Sequence, residues 1–103
     1  MLIARWQIDA RFGQKTAALE LMRRWEREIG PQVGLPDMAF GLLTGSIGAR
    51  EATIEANHRV ESLARLEAFF TAIGALDAHH AWSRELEPHV VSGTSHWQIF
   101  REL

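Results

Sequence analysis

The sequence contains no cysteine, and this absence removes a large part of enzyme chemistry from consideration. Without a thiol, the chain has no disulfide framework, no thiolate nucleophile and no thiolate metal site. The first residues also lack the basic start, the unbroken apolar segment and the small-residue cleavage site of a signal peptide. Both observations are compatible with a reducing compartment, and we expect the protein in the cytoplasm.

Basic clusters and long apolar runs are missing as well. The 11 basic and 13 acidic residues give a formal net charge of −2, and they are mixed along the chain. No stripe of basic residues is available to neutralise phosphates, so we predict no nucleic-acid partner. No apolar run approaches the roughly 18 residues that a membrane-spanning helix needs, so we predict no membrane partner. A chain of 103 residues is expected to form a single domain, residues 1–103.

Sequence signatures of bound cofactors and of hydrolases are absent too. The chain has no GxGxxG, no phosphate-binding P-loop and no GxSxG. Its carboxylates lie mostly on the outer faces of predicted helices, and no two of them share an apolar face as a tuned acid–base pair would. We therefore predict no cofactor and no metal site, and an enzyme with this sequence would be expected to act without a cofactor.

Four parts of the chain have the composition and the alternation of strands. Residues 2–8 (LIARWQI) place apolar side chains at every second position. Residues 38–45 and 52–60 are joined by the short turn SIGARE, so they are predicted to form a hairpin. A last strand is predicted in residues 95–103, SHWQIFREL.

Two helical regions lie between these strands. Residues 14–29 carry an apolar residue at every third or fourth position, and Trp25 of this stripe is expected in the core. Gly30 is expected to end the helix in a left-handed conformation. Ser62 is placed to cap the second helical region, and Asp77 to cap a further segment that runs to about residue 87.

The resulting order of elements is β-α-β-β-α-β. This order predicts an α+β, ferredoxin-like fold, in which a four-stranded antiparallel sheet carries both helical regions on one face. The other face mixes apolar and polar side chains, with Arg5 and Glu55 as an expected ion pair. Such a face is suited to packing against a second copy across a two-fold axis, so we predict a homodimer. The residues expected on that face are Ile3, Arg5, Gln7, Thr53, Glu55, Asn57, Arg59 and Phe100.

The order of elements, the helical segment RFGQKTAALELMRRWEREIG and the ending VVSGTSHWQIFREL resemble the dimeric α/β-barrel superfamily. Within it, the chain looks most similar to small NIPSNAP-like proteins, with antibiotic-biosynthesis monooxygenases and haem-degrading monooxygenases as relatives. The resemblance covers nearly the whole chain and rests on the pattern of apolar and glycine positions. It implies a dimer in which two sheets meet back to back, with a ligand pocket between each sheet and its own helices.

That resemblance also implies which residues line the pocket. In the haem-degrading branch, an Asn on the first strand, a Trp on the helix after the hairpin and a later His are typical. The approximate counterparts here are Trp6, Phe69 or Phe70, and His79 or His80, so haem degradation is not expected. The alternative is that the aromatic residues only fill the space between layers. The aromatic residues implied at the pocket are Trp6, Phe69, Phe70, Trp82 and Trp97.

The stretch DAHHAWSRELEPH, residues 77–89, gathers three histidines and looks like a metal site. On a helix, ligands that share a metal ion lie three or four positions apart. His79 and His80 are adjacent, and neither is followed by a histidine or a carboxylate at that spacing. The spacing opposes a metal site in this stretch. Exposed or loop-contacting histidines beside an inner face of Ala78 and Trp82 are the simpler interpretation, and His79 remains a candidate acid or base.

His58 is placed among apolar residues, on the same predicted strand face as Ile54, Ala56 and Val60. Burial there lowers the pKa of an imidazole and favours its neutral form, which is suited to proton abstraction. Two interpretations stay open: a core histidine bonded to a neighbour, or a functional residue. His58 and His79 are therefore the candidate catalytic residues.

Three functions fit these observations. The first is a NIPSNAP-like domain, without catalysis, that binds a small molecule or a partner. The second is a cofactor-independent monooxygenase for an electron-rich aromatic substrate, in which aromatic side chains hold the ring and His58 or His79 moves a proton. The third is a purely structural dimerisation module, which predicts that the space between helices and sheet is fully packed.

Overall fold

The strands form one antiparallel sheet in a computed structural model that describes residues 1–35 and 39–103. The strands are β1 (Leu2–Asp9), β2 (Ala39–Thr44), β3 (Thr53–Val60) and β4 (His96–Arg101). The order across the sheet is β2-β3-β1-β4, so the predicted hairpin lies at one side and the first strand pairs with the last. This arrangement confirms the predicted ferredoxin-like, α+β fold. The predicted start of the hairpin at residue 38 lies outside the described residues.

Helical segments connect β1 to β2 and β3 to β4. In the first connection, α1 (Lys15–Arg24) continues into a π-helical turn at Trp25–Ile29 and a 3₁₀ turn at Gly30–Gln32. In the second connection, α2 (Leu63–Ala75) is followed by α3 (Asp77–Leu86) and a 3₁₀ turn at Glu87–His89. Within the part of the chain that the structure describes, no helix is both long and apolar enough to span a membrane.

The ends of α2 and α3 test the predicted helix caps. Ser62 caps α2 as predicted, because its hydroxyl oxygen accepts a hydrogen bond of 3.1 Å from the backbone N–H of Arg65. Asp77 is the first residue of α3 and not its cap, since Leu76 occupies the cap position. The carboxylate of Asp77 in the first turn can still stabilise the helix through its dipole.

Gly30 does not have the left-handed conformation that we predicted. Its φ is −50°, and helical turns continue through it to Gln32. Glycine is needed here for space, because a Cβ at this position would lie 3.0 Å from the Cβ of Leu35 and closer still to its Cδ2. Gly34 is left-handed instead, with a φ of 92°.

The register of the sheet sorts the strand side chains onto two faces. Trp6 lies opposite Ala56, whereas Arg5 lies opposite Asn57, so the two pairs point to opposite sides. All eight residues predicted for the outer face share one side of the sheet in this register. The inner face packs against the helices in one hydrophobic core. Large members of that core are Ile8, Ile54, Val60, Met22, Leu66, Phe69 and Trp82.

Candidate functional site

A pocket of about 420 Å³ lies between the inner face of the sheet and the helices. This volume is within the range of about 300–1,000 Å³ that is typical of small-molecule sites. The fully packed space that a purely structural module predicts is therefore not what the structure has. All seven residues that the sequence analysis named as candidates line the pocket: Trp6, His58, Phe69, Phe70, His79, Trp82 and Trp97.

Aromatic rings from β4 and α2 form one side of this pocket. The rings of Phe70 and Trp97 meet edge to face with 4.9 Å between centroids, and both side chains are more than one third exposed. Phe69 lies next to Phe70 but is only 1% exposed. The pocket therefore reaches solvent beside Phe70 and Trp97, and Phe69 belongs to its deep part.

His58 projects from β3 into the deep part of the pocket. Its ring is 3% exposed and lies among aromatic rings, with centroids 5.2 Å from Phe69 and 5.7 Å from Trp97. Burial lowers the pKa of His58 from 6.5 to about 4, and a hydrogen bond with the backbone of Ala4 offsets part of that effect. The lowered pKa favours the neutral imidazole, and His58 is both a buried residue and a pocket residue.

His79 is not the solvated histidine that the simpler interpretation of its sequence stretch predicts. Its ring is half-buried and stacks on Trp82, with 5.6 Å between centroids. Its Nδ1 accepts a hydrogen bond of 2.9 Å from the indole N–H of Trp25. Ala78, expected on the inner face, is exposed instead. The pKa of His79 is lowered by burial and, to a lesser extent, by the nearby charge of His80.

The other two histidines of that stretch lie outside the pocket. His80 is exposed, and its Nε2 lies 2.8 Å from the carbonyl oxygen of Gly74. His89 belongs to the 3₁₀ turn after α3, and its Nδ1 lies 2.7 Å from Oε1 of Gln14. Across residues 1–35 and 39–103, no three His, Cys, Asp or Glu side chains are grouped so that they could hold a metal ion.

Ten of the described residues that line the pocket are not among the predicted site residues, and four of these ten have side chains with hydrogen-bonding groups. Trp25 is predicted in the core and is buried there, and it also lines the pocket. A helical stripe indicates which residues face the sheet and does not indicate which of them border a cavity. Ser83, Glu87 and Ser95 supply polar groups to the pocket, and no motif in the sequence marks them.

Three indole N–H groups of the pocket are already bonded within the protein. Trp6 donates to the hydroxyl of Ser95 at 2.8 Å, and Trp82 donates to the carbonyl oxygen of Leu21 at 2.7 Å. Together with the bond from Trp25, these contacts fix the orientation of three large rings. The pocket therefore presents aromatic faces and edges to a ligand, with a small number of polar groups at defined positions.

Fold and pocket together place this chain among ferredoxin-like domains with a ligand-sized space between sheet and helices. Comparison with protein-family models and with curated proteins finds no match. Solved structures do match, and they include NIPSNAP domain proteins and proteins described as antibiotic biosynthesis monooxygenases.

Three of these structures illustrate the similarity. An uncharacterised NIPSNAP domain protein from Burkholderia xenovorans is 10% identical, with a TM-score of 0.75 over 100% of this chain and 95% of the other. A NIPSNAP family protein from Agrobacterium tumefaciens is 16% identical, with a TM-score of 0.81 over 99% and 92%. A proposed antibiotic biosynthesis monooxygenase from Nitrosomonas europaea is 10% identical, with a TM-score of 0.71 over 100% and 99%. At these identities the similarity is one of fold.

Proposed function

We propose that this protein is a NIPSNAP-like domain that binds a small, flat aromatic molecule in the pocket without converting it. The observation that carries the proposal is the 420 Å³ space bordered by rings from β1, β3, β4 and the helices. A ring placed there would bury its apolar surface and could meet the edges or the faces of its neighbours, as aromatic groups prefer.

The two histidines of the pocket also favour binding over catalysis. A general base works best when its pKa is close to the working pH, and the pKa of His58 is lowered to about 4. At neutral pH such a group would hold an abstracted proton weakly. In His79, the nitrogen that could accept a proton is Nδ1, and it already accepts the N–H of Trp25.

An NMR titration with 1-tetralone, a two-ring ketone, tests the binding proposal. We expect the indole N–H resonances of Trp6, Trp25 and Trp82 to shift as the ketone fills the pocket. Phe70→Ala should weaken binding because Phe70 forms part of the exposed rim. Phe12→Ala is the matched control, since Phe12 is fully exposed and does not line the pocket. Unchanged indole resonances at millimolar ketone would contradict the proposal.

A cofactor-independent monooxygenase is the second candidate. It is supported by the aromatic pocket and by the fold that this chain shares with proteins described as antibiotic biosynthesis monooxygenases. An electron-rich ring system with an activated CH₂ could itself supply the electrons. One atom of dioxygen would become the new carbonyl oxygen, and the other would leave as water with the two hydrogens of the CH₂ group.

Oxygen uptake with anthrone, which has such a CH₂ between two aromatic rings, separates this candidate from the first. Oxygen uptake above the uncatalysed rate would favour the enzyme. Loss of that uptake in His58→Ala, in a variant that still folds and binds 1-tetralone, would assign His58 the role of base. If oxygen uptake equals the rate without protein in a sample that binds 1-tetralone, the result would support binding without catalysis.

We also propose that the protein is a cytoplasmic homodimer formed through the outer sheet face. That face carries the half-exposed side chains of Phe100 and Leu43. It also carries the predicted ion pair, in which Nη2 of Arg5 lies 2.7 Å from Oε1 of Glu55. Burial raises the pKa of Glu55, but hydrogen bonds from Arg5, Gln7 and Asn57 outweigh burial and hold it below its usual value.

This mixture supports an interface because the charges on the face are already matched within one chain. The guanidinium of Arg5 also lies 5.1 Å from the ring centre of Phe100, so its charge is partly compensated by an aromatic ring of the same face. Native mass spectrometry should show two copies for the unchanged protein and one for Phe100→Glu. Phe12→Glu adds the same charge at an exposed ring away from the sheet and should remain dimeric. A monomeric unchanged protein would refute this assembly.

A further inference from the structure

The contact between Trp25 and His79 determines where the proton of His79 lies. An indole nitrogen can only donate a hydrogen bond, so the Nδ1 that faces it at 2.9 Å must be an acceptor without a proton. A neutral imidazole then carries its proton on Nε2. The tautomer of His79 is therefore set by a neighbouring side chain and not by solvent.

The remaining nitrogen of His79 is available to a ligand. Its Nε2 lies 3.5 Å from the hydroxyl of Ser83, which is at the outer limit of a hydrogen bond. Ser83 and His79 both line the pocket, one helical turn apart on α3. A ligand oxygen atom beside this pair, within hydrogen-bond distance of both, could accept from the Nε2–H and from the hydroxyl.

From this geometry we infer that Trp25 holds His79 as the Nε2–H tautomer, so that His79 donates a hydrogen bond and selects pocket ligands that carry a carbonyl or phenolate oxygen. This inference rests on the proposed binding function and adds the chemical class of the ligand. In this arrangement Trp25 is a positioning residue, and His79 is the residue that contacts the ligand.

The charge state of His79 agrees with this arrangement. Burial and the neighbouring His80 both lower its pKa, so the neutral ring is favoured. Protonation of His79 would add an N–H at Nδ1, and this group would point directly at the indole N–H of Trp25. The two donors would then repel each other in a partly buried site, and the hydrogen bond would be lost.

Long-range ¹H–¹⁵N correlation spectra of the ligand-free protein test the tautomer. We expect a pyridine-like shift for Nδ1 of His79 and a pyrrole-like shift for its Nε2 at neutral pH. Trp25→Phe keeps a ring but removes the donor, and it should yield a mixture of tautomers. Trp6→Phe is the matched control, because it removes an indole N–H that donates to Ser95 and should leave the His79 signature unchanged. A protonated Nδ1 in the unchanged protein would overturn the inference.

Paired titrations with 1-tetralone and tetralin, the same two-ring skeleton without the oxygen, test the ligand class. The ketone should bind roughly two- to tenfold more tightly, as one hydrogen bond allows. His79→Phe keeps a ring without a donor and should bring the ketone to the affinity of the hydrocarbon. Equal affinities in the unchanged protein would overturn the inference and leave the pocket's binding function intact. Binding of neither probe would overturn the proposed function, and the selection of ligands with it.

Discussion

Mild acid should destabilise this protein through His58. Its pKa is about 4 in the folded chain, against 6.5 for the ordinary side chain. The unfolded state therefore binds the proton more tightly, so the stability from this group is fully present above about pH 6.5 and is lost as the pH falls towards 4. At 1.36 kcal/mol per pKa unit, the loss is about 3 kcal/mol. That is a large part of the roughly 5–15 kcal/mol that a domain of this kind has.

Urea unfolding at several values of pH between 7 and 4, followed by tryptophan fluorescence, measures this loss. His58→Gln has no group that titrates in this range, so its free energy of unfolding should depend less on pH than that of the unchanged protein. The lowered pKa of His79 acts in the same direction, and the lowered pKa of Glu55 acts at lower pH. The difference between the two proteins isolates His58 from both.

His96→Gln provides the control for this experiment, because it removes an exposed histidine of β4. The pH dependence of its free energy of unfolding should stay closer to that of the unchanged protein than the pH dependence of His58→Gln does. The reasoning would be refuted if His58→Gln lost as much stability between pH 6.5 and pH 4 as the unchanged protein, since the proton would then be taken up elsewhere.

Three substitutions test a buried ring of the pocket, the cap of α2 and the packing at Gly30, each by chemical denaturation. Phe69→Ala should cost about 3–5 kcal/mol because the ring is fully buried, and an equal cost for the exposed Phe70→Ala would contradict this. Ser62→Ala should cost about 1 kcal/mol through loss of the cap, whereas Ser62→Asp should keep most of it. Gly30→Ala should cost about 1–3 kcal/mol because its methyl group would overpack against Leu35. The same substitution should cost less in a protein that already carries Leu35→Ala.

Periodicity alone was sufficient for the fold and for the two faces of the sheet. Successive strand side chains point to opposite sides, so the alternation in residues 2–8 and 52–60 already separates His58 from Glu55. The cap at Ser62 could be predicted because a cap depends on residues that are neighbours in the sequence. The burial of His58, and hence the direction of its pKa shift, follows from the same local pattern.

The helix ends around Gly30 and Asp77 could not be predicted from the residues of the helix alone. Position 30 carries the glycine that a left-handed helix end requires, yet this glycine serves to leave room for the side chain of Leu35. Asp77 is a good cap by type, but Leu76 takes that position. In both cases the outcome depends on contacts between segments, which no pattern within one helix reports.

The sequence by itself determined the order of elements, the two faces of the sheet and the aromatic character of the space between sheet and helices. Tertiary structure decided that this space is a pocket of about 420 Å³ and not a filled core. It also decided that His79 turns inward to meet Trp25. The physical reason is that periodicity reports the direction of a side chain, whereas a cavity and a tautomer depend on distances between residues 54 positions apart in the chain.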